Sequence, residues 1–188
     1  MNKPVAVLLD RDGVINFDSP DYILTPEQWR PIPGSLEAIA RLTQAGIRLA
    51  IVSNQSALGR GMTDADTFAA IHDKMMAAIE AAGGRMDHIA YCPHGPEDGC
   101  ACRKPLPGMV HESLAMLGLS EHPEQALMIG DSARDVEAAY AAGVPAMLVQ
   151  SGYGDAEKIL AKARGLIPDI KAFADLAVAV DAVLEGAC

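Results

Sequence analysis

Short apolar runs alternate along this chain with stretches whose apolar residues recur at helical spacing. Residues 4–9, PVAVLL, form a continuous apolar run ending at Asp10, which predicts a strand buried on both faces. Residues 34–45 carry Leu36, Ile39, Ala40 and Leu42 at helical spacing and close at Gly46. Residues 47–52 predict a second strand, 89–91 a third, 126–129 a fourth and 145–149 a fifth. A helix is expected from an N-cap at Thr63, with Asp66 at the capping-box position, to Ala82 before Gly83-Gly84. Another starts at Pro107 with Val110, Leu114 and Leu117, another covers 133–142, and 172–184 reads as a last helix. Residues 11–33 read as a polar flap, 53–62 as a loop and 92–106 as a loop rich in Cys and His.

Strands alternating with helices predict an α/β fold: a Rossmann-like three-layer α/β/α sandwich around a central parallel sheet with right-handed crossovers. No repeat, low-complexity tract or linker divides the chain, so residues 1–188 are expected to form a single domain with the loop 92–104 inserted. Only a short flap and one helix lie between Asp12 and Ser53, which leaves room for a minimal cap and none for a large lid. Trp29 in that flap reads as packing rather than a substrate platform. In such sheets ligands bind beyond the carboxyl ends of the strands. Asp10, Asp12, Ser53, Lys104 and Asp131 all fall at or after a predicted strand end, so distant loops are expected to meet on one rim.

Composition narrows the classes. Half of the 188 residues are hydrophobic and 21% are charged, which supports a real core and argues against disorder. The net charge of −10 and the scattering of 15 Lys and Arg predict no nucleic-acid or anionic-membrane partner. No apolar run approaches the ~20 residues needed to span a bilayer, and the N-terminus lacks the features of a secretory signal, so a cytoplasmic protein is expected. Three of the four cysteines, Cys92, Cys100 and Cys102, lie within eleven residues. In a cytosolic chain such a cluster favours a metal over a disulfide. With His94 it reads C-x-H-x5-C-x-C, and three thiolates with one imidazole complete a closed tetrahedral Zn²⁺ site. With no position left for substrate, that zinc is structural and orders the loop that delivers Arg103 and Lys104. The alternative is reduced, unligated thiols. Cys188 is expected to be a free thiol, and His72, His88, His111 and His122 surface or helix-end residues.

Asp10-Arg11-Asp12-Gly13 could be a plain turn, Asp131 only a helix N-cap and Asp135 an exposed helix charge. Carboxylates gathered on one rim repel and call for a cation. All-oxygen ligands favour a hard ion such as Mg²⁺, which takes one or two carboxylates plus a substrate phosphate. Ser53-Asn54-Gln55 adds a hydroxyl and amide donors, and Lys104 a point charge. A metal, a lysine and a hydroxyl aimed at one spot suit a phosphoryl group, on whose oxygens charge develops.

DRDGVIN, VSNQ, RKP and GDSARD, in that order, resemble the haloacid dehalogenase (HAD) superfamily of phosphohydrolases, over Asp10 to Asp135. The resemblance implies that Asp10 is the nucleophile and forms an aspartyl-phosphate, and that Asp12 acts as general acid and then base. It implies that Ser53 and Lys104 hold the phosphoryl oxygens, and that Mg²⁺ sits on Asp10, the main-chain carbonyl of Asp12, and Asp131. Asp135 is placed behind them, orienting Lys104 or a metal-bound water. A zinc loop directly before RKP resembles two groups in that superfamily: heptose-bisphosphate phosphatases of the lipopolysaccharide-precursor route, and histidinol-phosphate phosphatases. DRDGVIN, NQSALGRG and CRKPLPGM look closer to the first. The heptose resemblance places substrate against Asp18, Ser19, Pro20 and Asp21, against Ser53, Asn54, Gln55 and Ser56, and against Arg103 and Lys104. A second phosphate needs a cation, which Arg103 can supply as a bidentate fork and Arg60 less well. The expected partner is a small phosphorylated sugar and the expected state a monomer. The alternative from another class is a non-catalytic, zinc-stabilised binding protein.

Overall fold

The computed structural model describes residues 3–186; Cys188, expected as a free thiol, lies outside the described residues. Six parallel strands form one sheet in the order β3-β2-β1-β4-β5-β6. They are β1 Ala6–Leu9, β2 Arg48–Asn54, β3 His88–Cys92, β4 Ala126–Gly130, β5 Ala146–Val149 and β6 Ala172–Phe173. Every β1 side chain is buried, as the unbroken apolar run requires of a central strand.

Alternate residues feed opposite faces. Val7, Leu9, Leu49, Ile51, Leu127 and Ile129 pack on one side with α1 (Ser35–Gln44), α3 (Ala65–Ala81) and α7 (Leu176–Leu184). Ala6, Leu8, Ala50, Val52, Ala126 and Met128 pack on the other with α4 (Gly108–Met116) and α5 (Ala133–Ala141). A smaller cluster of Val136, Leu148, Ala163 and Ile170 seats α6 (Ala156–Arg164) beside α5. The three-layer α/β/α expectation holds. Trp29 is 2% exposed and belongs to the first core, so its packing role holds too.

Several local expectations need correction. The 53–62 loop contains a short helix, α2 Ser56–Gly59. The N-cap of α3 is Asp64, whose carboxylate accepts from Thr67 N at 2.7 Å, and not Thr63. The tail 172–184 is a two-residue strand followed by α7, capped by Asp175. Helix α6 answers no sequence expectation: it is nine residues long, Ala163 is its one buried residue, and Ile159 and Leu160 pack beside it only partly buried. No described helix is long and apolar enough to cross a membrane.

The strand order reverses direction between β1 and β4. Leu9 pairs with Ile129, and Asp10 N donates to Ile129 O at 3.1 Å. Asp10 and Asp131 therefore leave adjacent strands at the crevice where an open α/β sheet presents its binding site.

Candidate active site

A cleft of about 520 Å³ opens over the carboxyl ends of β1, β2 and β4. Asp10 lies on its floor. Its Oδ1 accepts from Arg11 N at 2.7 Å and its Oδ2 lies 2.8 Å from Lys104 Nζ. Lys104 is 2% exposed. Its ammonium also donates to Val52 O at 2.7 Å and lies 2.5 Å from Asp135 Oδ1. That last contact is charge against charge: the oxygen has no hydrogen-bond donor in good alignment. Burial alone would lower the Lys104 pKa, but Asp10 and Asp135 outweigh it and hold the ammonium protonated above its usual range.

Asp135 is fully buried, which removes the reading of an exposed helix charge. Burial alone would raise its pKa; Lys104 and bonds from Ser132 reverse this and hold it ionised. Its Oδ2 accepts from Ser132 N at 3.0 Å and Ser132 Oγ at 2.6 Å, forming the capping box of α5. The N-cap is thus Ser132, and Asp131 is free to face the cleft. Gly130 makes room for Asp135, because a Cβ there would overlap the carboxyl group.

Asp12 is held by donors on both oxygens. Arg11 gives Nε to Oδ1 at 3.0 Å and its terminal nitrogen to Oδ2 at 2.9 Å. Asn16 Nδ2 donates to Oδ1 at 2.8 Å and Gln55 Nε2 to Oδ2 at 2.7 Å. Trp29 Nε1 donates to Asn16 Oδ1 at 3.0 Å, so the flap tryptophan indirectly aims Asp12. Gln55 also donates to Ser53 Oγ at 2.9 Å, tying the hydroxyl to the same network. Asn54 exchanges bonds of 3.0 Å with the Lys104 backbone, which locks the RKP segment to the end of β2.

Oxygens of Asp10, Asp131 and Asp135 lie within 4.8 Å of one another and could hold a cation. Burial pushes Asp10 up to about 7, with Lys104 pulling against it and Asp135 and Asp12 adding to it. Burial, then Asp10 and Asp135, push Asp131 up to about 8. Carboxylates crowded into a dry site this way lack positive charge, which a hard divalent ion supplies. Asp135 already faces Lys104 and Ser132, so Asp10 and Asp131 are the side chains with capacity to spare. Asp131 sits tightly between Gly13 and Gly152; a Cβ on either would overlap its Oδ2.

The second cluster joins Cys92, His94, Cys100 and Cys102, all ligand atoms within 4.8 Å. Cys92 Sγ lies 3.0 Å from Cys102 Sγ, 3.6 Å from Cys100 Sγ and 3.5 Å from His94 Nδ1. Three thiolates ~2.3 Å from one zinc ion are about 3.7 Å apart, so the donor set fits with little adjustment. The described cysteines form no disulfide. Arg103 donates to His94 O at 2.9 Å, and Gln55 N to Cys92 O at 2.7 Å, so the cluster is wired to the cleft wall.

The cleft wall includes Asp18, Ser19 and Pro20 from the flap, Ser53 to Ser56, Arg103, Lys104 and Asp131. Asp21 is exposed and does not line it; Tyr22 and Ile23 do. Tyr22, beside Asp21 in the flap, adopts the left-handed φ of 65°. Asp18 is half-buried, and burial with the Asp12 charge pushes it up to about 6. Arg60 is exposed and outside the cleft. Sequence reasoning missed Arg134, Tyr153, Gly154 and Lys162 on the wall. The segment after β5 carried a usable signal, since it too follows a strand end.

The HAD-hydrolase-like family matches residues 101–176 of the chain. A D-glycero-beta-D-manno-heptose-1,7-bisphosphate 7-phosphatase from Bordetella bronchiseptica is 46% identical over 181 residues, covering 96% of this chain and 98% of the relative. The protein of that name from Pseudomonas aeruginosa is 43% identical over 183 residues, covering 95% and 97%. The crystal structure of D,D-heptose 1,7-bisphosphate phosphatase from B. bronchiseptica with magnesium and phosphate superposes with a TM-score of 0.89 at 44% identity, covering 99% of each chain. That of the Burkholderia thailandensis enzyme gives 0.70 at 35% identity, covering 95% of this chain and 97% of the other.

Proposed function

Because the chain belongs to the family of HAD-like D-glycero-beta-D-manno-heptose-1,7-bisphosphate 7-phosphatases, we propose that it removes the 7-phosphate of that bisphosphate through an aspartyl-phosphate on Asp10. The observation that carries the reading is Asp10 on the cleft floor, 2.8 Å from a buried ammonium, with the Asp12 carboxyl group two residues on. A carboxylate oxygen of Asp10 attacks phosphorus in line as the bond from phosphorus to the sugar oxygen breaks. Asp12, entering this step as the carboxylic acid, gives that oxygen a proton and becomes the carboxylate. Water then attacks phosphorus as Asp12 takes its proton, and the bond to Asp10 breaks to release phosphate. Lys104 and Ser53 hold the phosphoryl oxygens throughout, and Gln55 keeps Ser53 and Asp12 in register. Mg²⁺ held by Asp10, Asp131 and the main-chain carbonyl of Asp12 would neutralise charge on those oxygens. Asp135 does not touch substrate; it positions Lys104.

Zinc at Cys92, His94, Cys100 and Cys102 is structural in this account, since all four positions are filled by protein. Replacing Cys100 with Ser is expected to lower zinc affinity at least ~100-fold and to lower turnover, with the magnesium requirement unchanged. Metal analysis after dialysis, together with a magnesium titration of activity, checks this. A variant that keeps its zinc at wild-type affinity would contradict the ligand assignment.

Specificity constants for the heptose bisphosphate and for histidinol phosphate test the substrate. The bisphosphate is expected to be favoured by at least about 100-fold, because histidinol phosphate leaves the cationic wall unpaired. A ratio near one, or reversed, would overturn the reading. No Mg²⁺-dependent release from any phosphomonoester would favour the binding-protein alternative.

A further inference from the structure

Five basic side chains line the cleft: Arg11, Arg103, Lys104, Arg134 and Lys162. Three of them face carboxylates. Arg11 is spent on Asp12, Lys104 on Asp10 and Asp135, and Lys162 on Glu137 at 2.8 Å. The other two keep their charge. Arg103 donates to the neutral carbonyl of His94. The Arg134 side chain has no ion-pair or hydrogen-bond partner among the described residues, although its charge reaches Asp18 and pulls that carboxyl down. Both arginines also line a hollow of about 250 Å³ that adjoins the cleft under the zinc loop, beside Gly95, Gly99 and Leu106. The uncompensated positive charge of the site is therefore concentrated at one seam, between the first turn of α5 and the zinc loop.

Resting on the bisphosphate reading, a substrate brings a second dianion that remains after the reacting phosphate has been seated at Asp10. The flap wall offers it Asp18, which repels it. The α6 wall offers Lys162, already paired. We propose that Arg134 is a specificity-determining residue which, with Arg103, takes the second phosphate of the substrate. Arg134 can do so because its neighbours turn inward: Asp131 faces the cleft, Asp135 is buried, and the guanidinium between them is exposed. A planar fork matches two phosphate oxygens, and an unpaired arginine loses no existing partner when it binds.

The test compares the heptose 1,7-bisphosphate with the heptose 7-phosphate, which lacks the second group, in wild type, Arg134→Ala, Arg134→Lys and a remote charge control, Lys158→Ala. In Arg134→Ala the KM for the bisphosphate should rise about tenfold, with kcat within a few-fold, so that the preference over the monophosphate falls about tenfold. Arg134→Lys should recover part of that preference, and Lys158→Ala should keep all of it. Equal losses on both substrates with a lowered Tm would mean a structural role and overturn the proposal, as would an unchanged preference. A wild-type enzyme with no preference for the bisphosphate would instead sink the parent reading and take this inference with it.

Discussion

Asp10→Asn is expected to abolish phosphate release, by at least about 10⁴-fold in kcat, while the chain stays folded and keeps its Cys/His cluster intact. The amide has nearly the shape of the carboxyl group, and its one oxygen can still accept from either Arg11 N or Lys104 Nζ, while the other then faces the NH2 group. What is lost is the nucleophile, since an amide oxygen cannot form the acyl-phosphate. The fold should tolerate the change because the native carboxyl is itself crowded: burial and neighbouring carboxylates push it up to about 7. A raised carboxyl pKa means that its ionised form costs stability above the unfolded pKa near 4, and a neutral group escapes that cost. Steady-state turnover and thermal melts of the same preparation check both halves. Activity within tenfold of wild type would remove Asp10 from the chemistry.

Lys104→Met should damage fold and activity together. The ammonium is buried between Asp10 and Asp135 and satisfies the Val52 carbonyl. Removing one partner of a buried ion pair leaves the other charge uncompensated, at about 3–5 kcal/mol. For a chain of this size that corresponds to a Tm loss of about 10 °C. Turnover should fall at least about 10³-fold, because a cation aimed at the phosphoryl oxygens disappears as well. The double change Lys104→Met with Asp135→Asn separates the two effects. It should recover part of the stability, because one of the two stranded carboxylates is gone, and none of the activity. Recovery of turnover in the double variant would show that Lys104 acts only through the fold.

The strand ends were legible because each short apolar run stops at a polar residue, and a parallel sheet gathers those stops on one rim. Asp10, Ser53 and Asp131 could be assigned to the cleft on that ground alone, and Lys104 through the loop after β3. The gathering of Cys92, His94, Cys100 and Cys102 was legible from spacing, since Cys-x-His and Cys-x-Cys leave little other use for four such donors. Burial was not legible. On its own pattern Asp135 could be a plain helix-surface charge, and only the family resemblance placed it behind Lys104; the docked α5 buries it there, with the capping box turning it inward onto the ammonium. The flap was legible as a segment but not in its local conformation, which puts Tyr22 and Ile23 on the wall and leaves Asp21 off it. Arg134 has no local signature at all. Its significance comes from what its neighbours in space are already paired with, and no window of sequence contains that. Helix α6 and strand β6 escaped for a related reason: one buries a single residue fully and the other is two residues long at the sheet edge.

The most direct measurement is to quench the wild-type protein during turnover of the heptose bisphosphate, reduce with borohydride and map the peptides by mass spectrometry. An acyl-phosphate on Asp10 should be recovered as homoserine at that position, and Asp12, Asp131 and Asp135 should be unmodified. A reduced residue at any other carboxylate, or none in protein shown to be turning over, would contradict covalent catalysis by Asp10.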